Sequence, residues 1–351
     1  MEKIFSVPLK GGAMTDVYTS SLSEIAKELS SYPSALAVFD DNSLSSYGER
    51  PSVPFISIAP GEERKNWESV DQILSRAMGE GLARDSMFIG IGGGVVLDMT
   101  AFAASVYMRG ARCILIPTTL LSAVDATLGG KTGIDYGGAK NAVGTFFPAE
   151  KVIISTAFLR TLPECEYRSG LGEVLKHALL SPDNDLMKFL LAKRDKVLSR
   201  DPEAVSEMIR LSLAVKISYI TRDPEERKGI RSSLNLGHTF GHALESLYDY
   251  SISHGEGVAW GTVKALRAGE ELGVTPSGLA ADGIALFREY GFDEDRFSIP
   301  EDLLPEYLKA IGKDKKKKGG IVRFVLMEDL GKPVLTPLSD SDIEKAVMRK
   351  A

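Results

Sequence analysis

Cysteine is nearly absent from this sequence. Cys113 and Cys165 are its only two, too few and too isolated for a disulfide framework, which points to a reducing compartment such as the cytoplasm. Positive charge is not in excess either: 42 Lys and Arg face 48 Asp and Glu, a net charge of -6. That balance argues against a nucleic acid or an acidic membrane as partner of the whole molecule. No apolar run is long enough to span a membrane, because the most apolar stretch, residues 87–108, is interrupted by glycines and Asp98 and followed by Arg109. The first ten residues, MEKIFSVPLK, contain no apolar core of signal-peptide length. No internal repeat is visible. What remains is an ordinary globular composition, 44% apolar and 26% charged over 351 residues, enough for two domains.

The first half alternates short apolar runs with helical patterns, as a parallel α/β sheet does. ALAVF (35–39), VPFISI (53–58), MFIGI (87–91), RCILIP (112–117) and KVIIS (151–155) read as strands. Helical periods cover 66–83 and the stretch VVLDMTAFAASVYM after Gly94. Beyond about residue 158 long helical segments take over, at 170–181, 185–199, 203–221, 235–248 and 257–273, with a late strand at 321–327. The reading is α/β: a Rossmann-like N-terminal domain over 1–158, then a mainly helical domain over 159–351.

Histidine is also scarce, with four in the chain, yet three fall within seventeen residues. His238 and His242 are i,i+4, so a helix places both on one face. His254 lies in a loop bounded by Gly255 and Gly257 and can fold back on that face. Clustering against scarcity points to a metal or proton-transfer site; one core and one solvent histidine, plus a third by chance, is the plainer explanation. Glu173 and Lys176, at i and i+3 among apolar neighbours, offer a surface ion pair or a third ligand beside its cation. His177 points off that face. Lys216, Arg222, Arg231 and Asn235 precede the histidine helix, the last two again i,i+4.

The strand–helix junction Gly92-Gly93-Gly94-Val95 presents bare backbone amides where a pyrophosphate can sit, although a tight corner without ligand reads the same way. It departs from the common dinucleotide fingerprint and has no acid about twenty residues downstream. Asp40, at the end of an earlier strand, is the acid that could hold a ribose. Thr118, Thr119, Asp125, Lys131, Lys140 and Asn141 are interleaved with glycines and suit phosphate or polyol oxygens. The lysine run Lys315-Lys316-Lys317-Lys318 reads as a solvated loop, or as the source of one lysine for an anionic substrate.

Taken together, the chain resembles the 3-dehydroquinate synthase family. The matching blocks are GEERK, GGGVVLD, RG, PTTLLSAVD, GGKTGID, AKNAVG, TLPE, GEVLKH, RDPEERKGIRSSLNLGHTFGHALE, SHGEGV and DKKKKGGIVRFVL, in order through nearly the whole sequence. The resemblance implies a homodimeric, cytoplasmic lyase of the shikimate pathway, dependent on NAD and on zinc or cobalt. It implies conversion of 3-deoxy-D-arabino-heptulosonate 7-phosphate to 3-dehydroquinate and phosphate. Glu173, His238 and His254 are the implied metal ligands. Asp40, Asn42, Glu62, Lys65, Gly92, Gly93, Gly94, Val95, Asp98, Thr118, Thr119, Asp125, Lys131 and Lys140 are implied around NAD. Lys131, Asn141, Lys176, Lys216, Arg231, Asn235, His242 and Lys315 are implied around the sugar acid, with Arg109 reaching its phosphate from the partner subunit. Ala126, Thr127, Ala139 and Ser155 depart from the common family pattern beside the cofactor loop. The rivals are a cyclase of a sugar phosphate without a carboxylate, which would not need Lys216, Arg231 and Asn235, and a metal-dependent polyol dehydrogenase.

Overall fold

The computed structural model describes residues 1–9, 12–224, 226–249, 251–317 and 322–349, with backbone alone over 313–317. The chain divides into two compact units, Met1–Pro163 and Glu164–Ala351. The division falls five residues beyond the expected boundary, past a 3₁₀ turn at Thr156–Arg160.

The first unit runs β1 (Glu2–Pro8), β2 (Met14–Thr19), α1 (Leu22–Ser30), β3 (Ala35–Asp40), α2 (Asp41–Tyr47), β4 (Phe55–Ile58), α3 (Trp67–Gly79) and β5 (Met87–Gly92). It continues with α4 (Gly94–Val106), β6 (Arg112–Pro117), β7 (Lys131–Tyr136), β8 (Ala139–Phe146) and β9 (Lys151–Ile154). Among the described residues seven strands form one sheet in the order β1-β2-β9-β6-β5-β3-β4. The five apolar runs expected as strands are β3, β4, β5, β6 and β9, paired in parallel. Such strands are buried on both faces, which is why they read as unbroken apolar runs. Phe39, Ile89, Ile91, Ile114, Ile116 and Ile153 fill one face against Ile25 and Leu29 of α1.

From β3 the chain steps outward to β4, then returns to the other side of β3 as β5. The winding therefore reverses between β3 and β5. In open α/β sheets the ligand crevice opens at such a reversal, beyond the carboxyl ends of the strands. Asp40 ends β3 and the triglycine follows β5, so the two features singled out in the sequence flank that crevice.

Two strand pairs were not anticipated. β1 and β2 form an antiparallel hairpin at the sheet edge, and mostly half-exposed strands of this kind carry no apolar run. β7 and β8 form a separate hairpin over the stretch expected as a binding loop. Gly137 and Gly138, at φ 59° and 75°, make its two-residue turn, a conformation that needs positive φ at both positions.

The second unit contains α5 (Glu164–Leu180), α6 (Asp185–Leu198), α7 (Pro202–Arg222), α8 (His238–Leu247), α9 (His254–Glu271), α10 (Ser277–Glu289), α11 (Leu304–Lys317), β10 (Arg323–Asp329), β11 (Lys332–Pro337) and α12 (Asp340–Met348). The late strand thus pairs with a second one as an antiparallel hairpin. Residues 167 and 169–180 of α5 are all buried, so this helix runs through the core of the unit. No helix among the described residues is long and apolar enough to cross a membrane.

Candidate active site

Three helices of the second unit bring the clustered histidines to Glu173, and glycines set how closely they cross. A Cβ on Gly172 of α5 would drive into the carbonyl oxygen of Gly255 at the start of α9. A Cβ on Gly241 of α8 would lie 2.5 Å from the carbonyl oxygen of Gly257. Only glycine permits backbones this near. His238 is the first residue of α8, entered through Gly237 at φ 79°. His254 is the first residue of α9, capped by Ser253, rather than a loop residue folded back as expected.

Glu173 is fully buried, and neither carboxylate oxygen receives a hydrogen bond, although Oε2 touches the Lys176 ammonium. His238 Nε2 lies 3.4 Å and His254 Nε2 3.6 Å from the same oxygen, Oε1. Ligand bonds of about 2.1 Å in a tetrahedral site put neighbouring ligand atoms about 3.4 Å apart. Each imidazole therefore stands from the carboxylate at the spacing of neighbouring metal ligands, and the donor set fits a divalent cation. His242 also belongs to the cluster, with a ligand atom within 4.8 Å of those of His238 and His254. Its ring lies edge-on to His238 at 5.2 Å between centroids, and it is exposed.

The other ring nitrogens fix the tautomers. His238 Nδ1 donates to the Leu236 carbonyl at 3.2 Å, and His254 Nδ1 donates to Glu245 Oε1 at 3.1 Å. Each leaves Nε2 turned toward Glu173, the arrangement that orients metal-binding imidazoles. Burial opposes ionisation of Glu173, but Lys176 and the facing histidines outweigh it and hold the carboxyl well below its ordinary range. Burial and the Lys176 charge push His238 well below its ordinary value. For His254 the carboxylates of Glu173 and Glu245 outweigh burial and raise the pKa to about 10. A site with so much carboxylate around one imidazole favours positive charge at its centre.

Lys176, Lys216 and Arg231 are also buried in this unit, at 1%, 4% and 5% exposure. A buried cation needs a partner: Lys176 has the Glu173 carboxylate, and Arg231 donates to the Pro224 carbonyl. Arg231 and Asn235 open and close a 3₁₀ turn, not an α-helix, so the winding separates them by about 120° instead of stacking them. His177 is fully buried with Nδ1 bonded to Ser212 at 2.7 Å, but its Nε2 lies 3.9 Å from Glu173 Oε2, so it does not point off the Glu173 face as expected: at i,i+4 on one helix the two share a face. Lys315 lies on α11, and its side chain is outside the described residues.

In the first unit, Gly93 caps α4 with no side chain occupying the exposed amides. The Asp40 carboxylate accepts from Ser43 N at 2.7 Å and so caps α2 at the edge of the crevice. Asn42 and Glu62 are exposed nearby in sequence, on α2 and on a 3₁₀ turn. Lys65 is buried and donates to Asp98 Oδ2 and to Asn141 Oδ1, each at 2.6 Å. Burial alone would lower the Lys65 pKa, but the Asp98 carboxylate outweighs it and raises it. Asp135 N donates to Lys65 O at 2.8 Å, which with the Lys65–Asn141 bond ties the β7–β8 hairpin to this pair, and Asp135 Oδ1 accepts from Asn141 N at 2.7 Å across the hairpin, where Asn141 sits at φ 51°. Thr118 donates from its backbone to Gly92 O at 2.9 Å, while Thr119 Oγ1 is engaged with Ser122 at 2.8 Å. Val95 lies in the first turn of α4, and Asp125 lies in a π-turn at Ser122–Ala126. Lys131 pairs with Phe146 at the open end of the hairpin, about 12 Å along the strands from Asn141. Lys140 is exposed beside Asn141. Arg109 sits at φ 67° past the far end of α4, roughly 20 Å along the helix from Gly94. Within this unit it stands apart from the triglycine.

Family models for the N-terminal and C-terminal parts of 3-dehydroquinate synthase match residues 55–169 and 170–317. A 3-dehydroquinate synthase of Acidithiobacillus ferrooxidans is 40% identical over 289 residues, 82% of this chain and 78% of that protein. The chain belongs to the 3-dehydroquinate synthase family. A relative of that name in Saccharolobus solfataricus is 37% identical over 292 residues, 82% of each chain. Among solved structures, 2-deoxy-scyllo-inosose synthase with carbaglucose-6-phosphate, NAD+ and Co2+ superposes with a TM-score of 0.85 at 22% identity, covering 98% of this chain and 99% of that one. A 2-epi-5-epi-valiolone synthase of Streptomyces hygroscopicus with NAD+ and Zn2+ gives 0.84 at 25% identity and 97% coverage of both. The α/β-plus-helical plan expected from the sequence is the fold of these proteins.

For a member of this family, sequence reasoning missed two side chains. Glu245, which holds His254, follows His242 by three residues and reads as an ordinary helix-surface acid. Asp223 accepts four backbone N–H groups from the turn that carries Arg231. Nothing in its spacing marks it.

Proposed function

We propose that the chain converts 3-deoxy-D-arabino-heptulosonate 7-phosphate to 3-dehydroquinate and phosphate, using NAD and a divalent zinc or cobalt ion. The observation that carries this reading, beyond family membership, is the fully buried Glu173 carboxylate whose Oε1 is faced by two oriented imidazoles. Glu173, His238 and His254 would hold the metal; His242, the most exposed of the cluster, is left to the substrate. Asp40 and the amides after Gly92 would take the ribose and pyrophosphate of NAD, because they flank the reversal of the sheet. Asn42, Glu62, Lys65, Asp98, Thr118, Thr119, Asp125, Lys131 and Lys140 complete the proposed cofactor environment. When bound, NAD supplies hydride exchange and the metal supplies positive charge at the C5 oxygen, for a sequence of oxidation, phosphate loss, re-reduction and aldol closure.

The chain's own side chains then bind and orient. Lys176, Lys216 and Arg231 offer buried positive charge to the carboxylate and hydroxyls of the sugar acid, with Asn235 and Asn141 as neutral partners. Burial strengthens each such contact because water does not compete. Holding both anionic ends fixes a flexible intermediate in a reactive geometry, worth several kcal/mol of barrier in well-oriented systems (about 7–11 at most). His242, with its ring against His238, is placed to pass a proton to or from the substrate. Arg109, far from its own triglycine, would reach the phosphate of a partner subunit in a homodimer. The proposed place of action is the cytoplasm. The buried Lys216 and Arg231 favour a substrate with a carboxylate over the phosphates of neutral sugars.

The test is phosphate release from 3-deoxy-D-arabino-heptulosonate 7-phosphate with NAD and zinc or cobalt, with absorbance at 340 nm followed in parallel. Phosphate release without net NADH, abolished by chelation and in His254→Ala, is expected. Net NADH, or no phosphate from protein that has bound metal and NAD, would overturn the assignment.

A further inference from the structure

The turn that carries Arg231 is organised around a single carboxylate. Asp223 ends α7 and is itself buried. Its Oδ1 accepts from Arg227 N at 2.9 Å and Lys228 N at 3.1 Å. Its Oδ2 accepts from Ile230 N at 3.0 Å and Arg231 N at 3.2 Å. Successive backbone amides that converge in this way form a concave anion site. Here the chain's own side chain fills it. The curvature depends on left-handed backbone at Glu226 (φ 58°) and Gly229 (φ 77°). The Arg231 guanidinium turns back on the same segment, donating from Nη1 to the Pro224 carbonyl at 2.9 Å. Both ends of Arg231 are therefore anchored to residues at the end of α7, the helix that also carries Lys216 two turns earlier.

We infer that Asp223 is a positioning residue, which fixes Arg231 relative to Lys216 so that the two meet the anionic end of the substrate together. The inference rests on the functional reading above. Burial opposes ionisation of Asp223, but the four amide donors outweigh it and hold its carboxyl below the ordinary range. A carboxylate, with lone pairs on both oxygens, can accept all four bonds. An asparagine of the same shape turns an NH₂ group toward two of the donors and loses that pair.

The experiment compares wild type, Asp223→Asn, Asp223→Glu, Arg231→Gln and the Asp223→Asn/Arg231→Gln double variant. Steady-state constants for 3-deoxy-D-arabino-heptulosonate 7-phosphate are measured, with amide hydrogen exchange over residues 227–231. Asp223→Asn is expected to raise KM about tenfold or more while kcat changes less than about threefold, because a uniform binding contact is loosened. Exchange over 227–231 should quicken, and Asp223→Glu should recover part of the loss. In the Arg231→Gln background Asp223→Asn should add little, since both act through the same guanidinium. A KM unchanged by Asp223→Asn, an effect that simply adds to Arg231→Gln, or unaltered exchange would overturn the inference. If Asp223→Asn does not fold, Asp223→Glu carries the same comparisons. Should the wild type release no phosphate, the functional reading fails by itself, and exchange over 227–231 still decides whether Asp223 holds the turn.

Discussion

Replacing Gly241 by alanine adds one methyl group, and the structure says where it goes. The new Cβ would stand 2.5 Å from Gly257 O, 2.7 Å from Gly257 C and 3.1 Å from Val258 N, all backbone of α9. Ordinary contact to such atoms begins near 3.4 Å. The helices must therefore separate by about 0.9 Å, because no flexible side chain is there to yield. Overpacking of this kind costs about 1–3 kcal/mol, and in a unit of this size each kcal/mol lowers the melting midpoint by about 2–4 °C. The shift also falls on the proposed ligands, because α8 begins with His238 and α9 with His254. A constellation held to about 0.5 Å loses its preorganisation under a displacement nearly twice as large. Gly241→Ala should thus melt lower, by about 2–12 °C, and bind zinc at least about tenfold more weakly. Calorimetric melting of the metal-free protein and zinc titration against a competing chelator measure the two effects separately. A variant that melts and binds zinc like the wild type would refute the argument that glycine sets the helix spacing. A lower midpoint with unchanged zinc affinity would leave the packing account standing and sink the metal site.

Two further outcomes follow from individual charged pairs. Glu245→Gln removes the carboxylate that accepts from His254 Nδ1, and should weaken zinc binding by about 10–100-fold, with phosphate release recovered when zinc is in excess; equal zinc affinity in a competition titration would count against it. Lys151 bonds Glu28 at 2.6 Å and ties α1 to β9, and although burial opposes it, this contact and the Tyr32 hydroxyl hold the Glu28 carboxyl below its ordinary range. A depressed carboxyl contributes stability above its unfolded pKa that is lost as pH falls through the folded one. In Glu28→Gln the fall in stability below about pH 5 should be shallower, by no more than about 1 kcal/mol, in denaturant titrations across pH 3–6.

How legible the fold was depended on where each element buries its surface. Strands packed on both faces, such as β5 and β6, announce themselves as apolar runs. The β1–β2 edge hairpin and the β7–β8 hairpin bury little, and GGKTGIDYGGAKNA reads as a polar loop until Asp135 and Asn141 are seen stitched to Lys65. The site was legible where residue type was scarce. Three of four histidines in seventeen residues cannot hide, whereas Glu245 and Asp223 are two acids among 48 Asp and Glu. Their importance lies in what they accept from, a property of the folded backbone that no spacing encodes. His254 was expected on a loop because glycines flank it. In fact those glycines sit inside a helix, where their lack of a side chain serves packing instead of turning.

That exchange of roles explains how the site is assembled. The proposed ligands come from three helices, and their spacing in sequence, 65 residues from Glu173 to His238 and 16 more to His254, carries no geometric constraint. Convergence must come from how closely the helices cross. Helix axes usually pack 8–10 Å apart because side chains stand between them. Gly172 against Gly255 and Gly241 against Gly257 remove those side chains at the two crossings that join α5 to α9 and α8 to α9. The buried Glu173 carboxylate then lies within reach of both imidazoles without a long side chain to bridge the gap, so little rotamer entropy is lost on binding. The proposed metal site would thus be preorganised by backbone contact. Its weakest points are therefore the glycines as much as the ligands themselves.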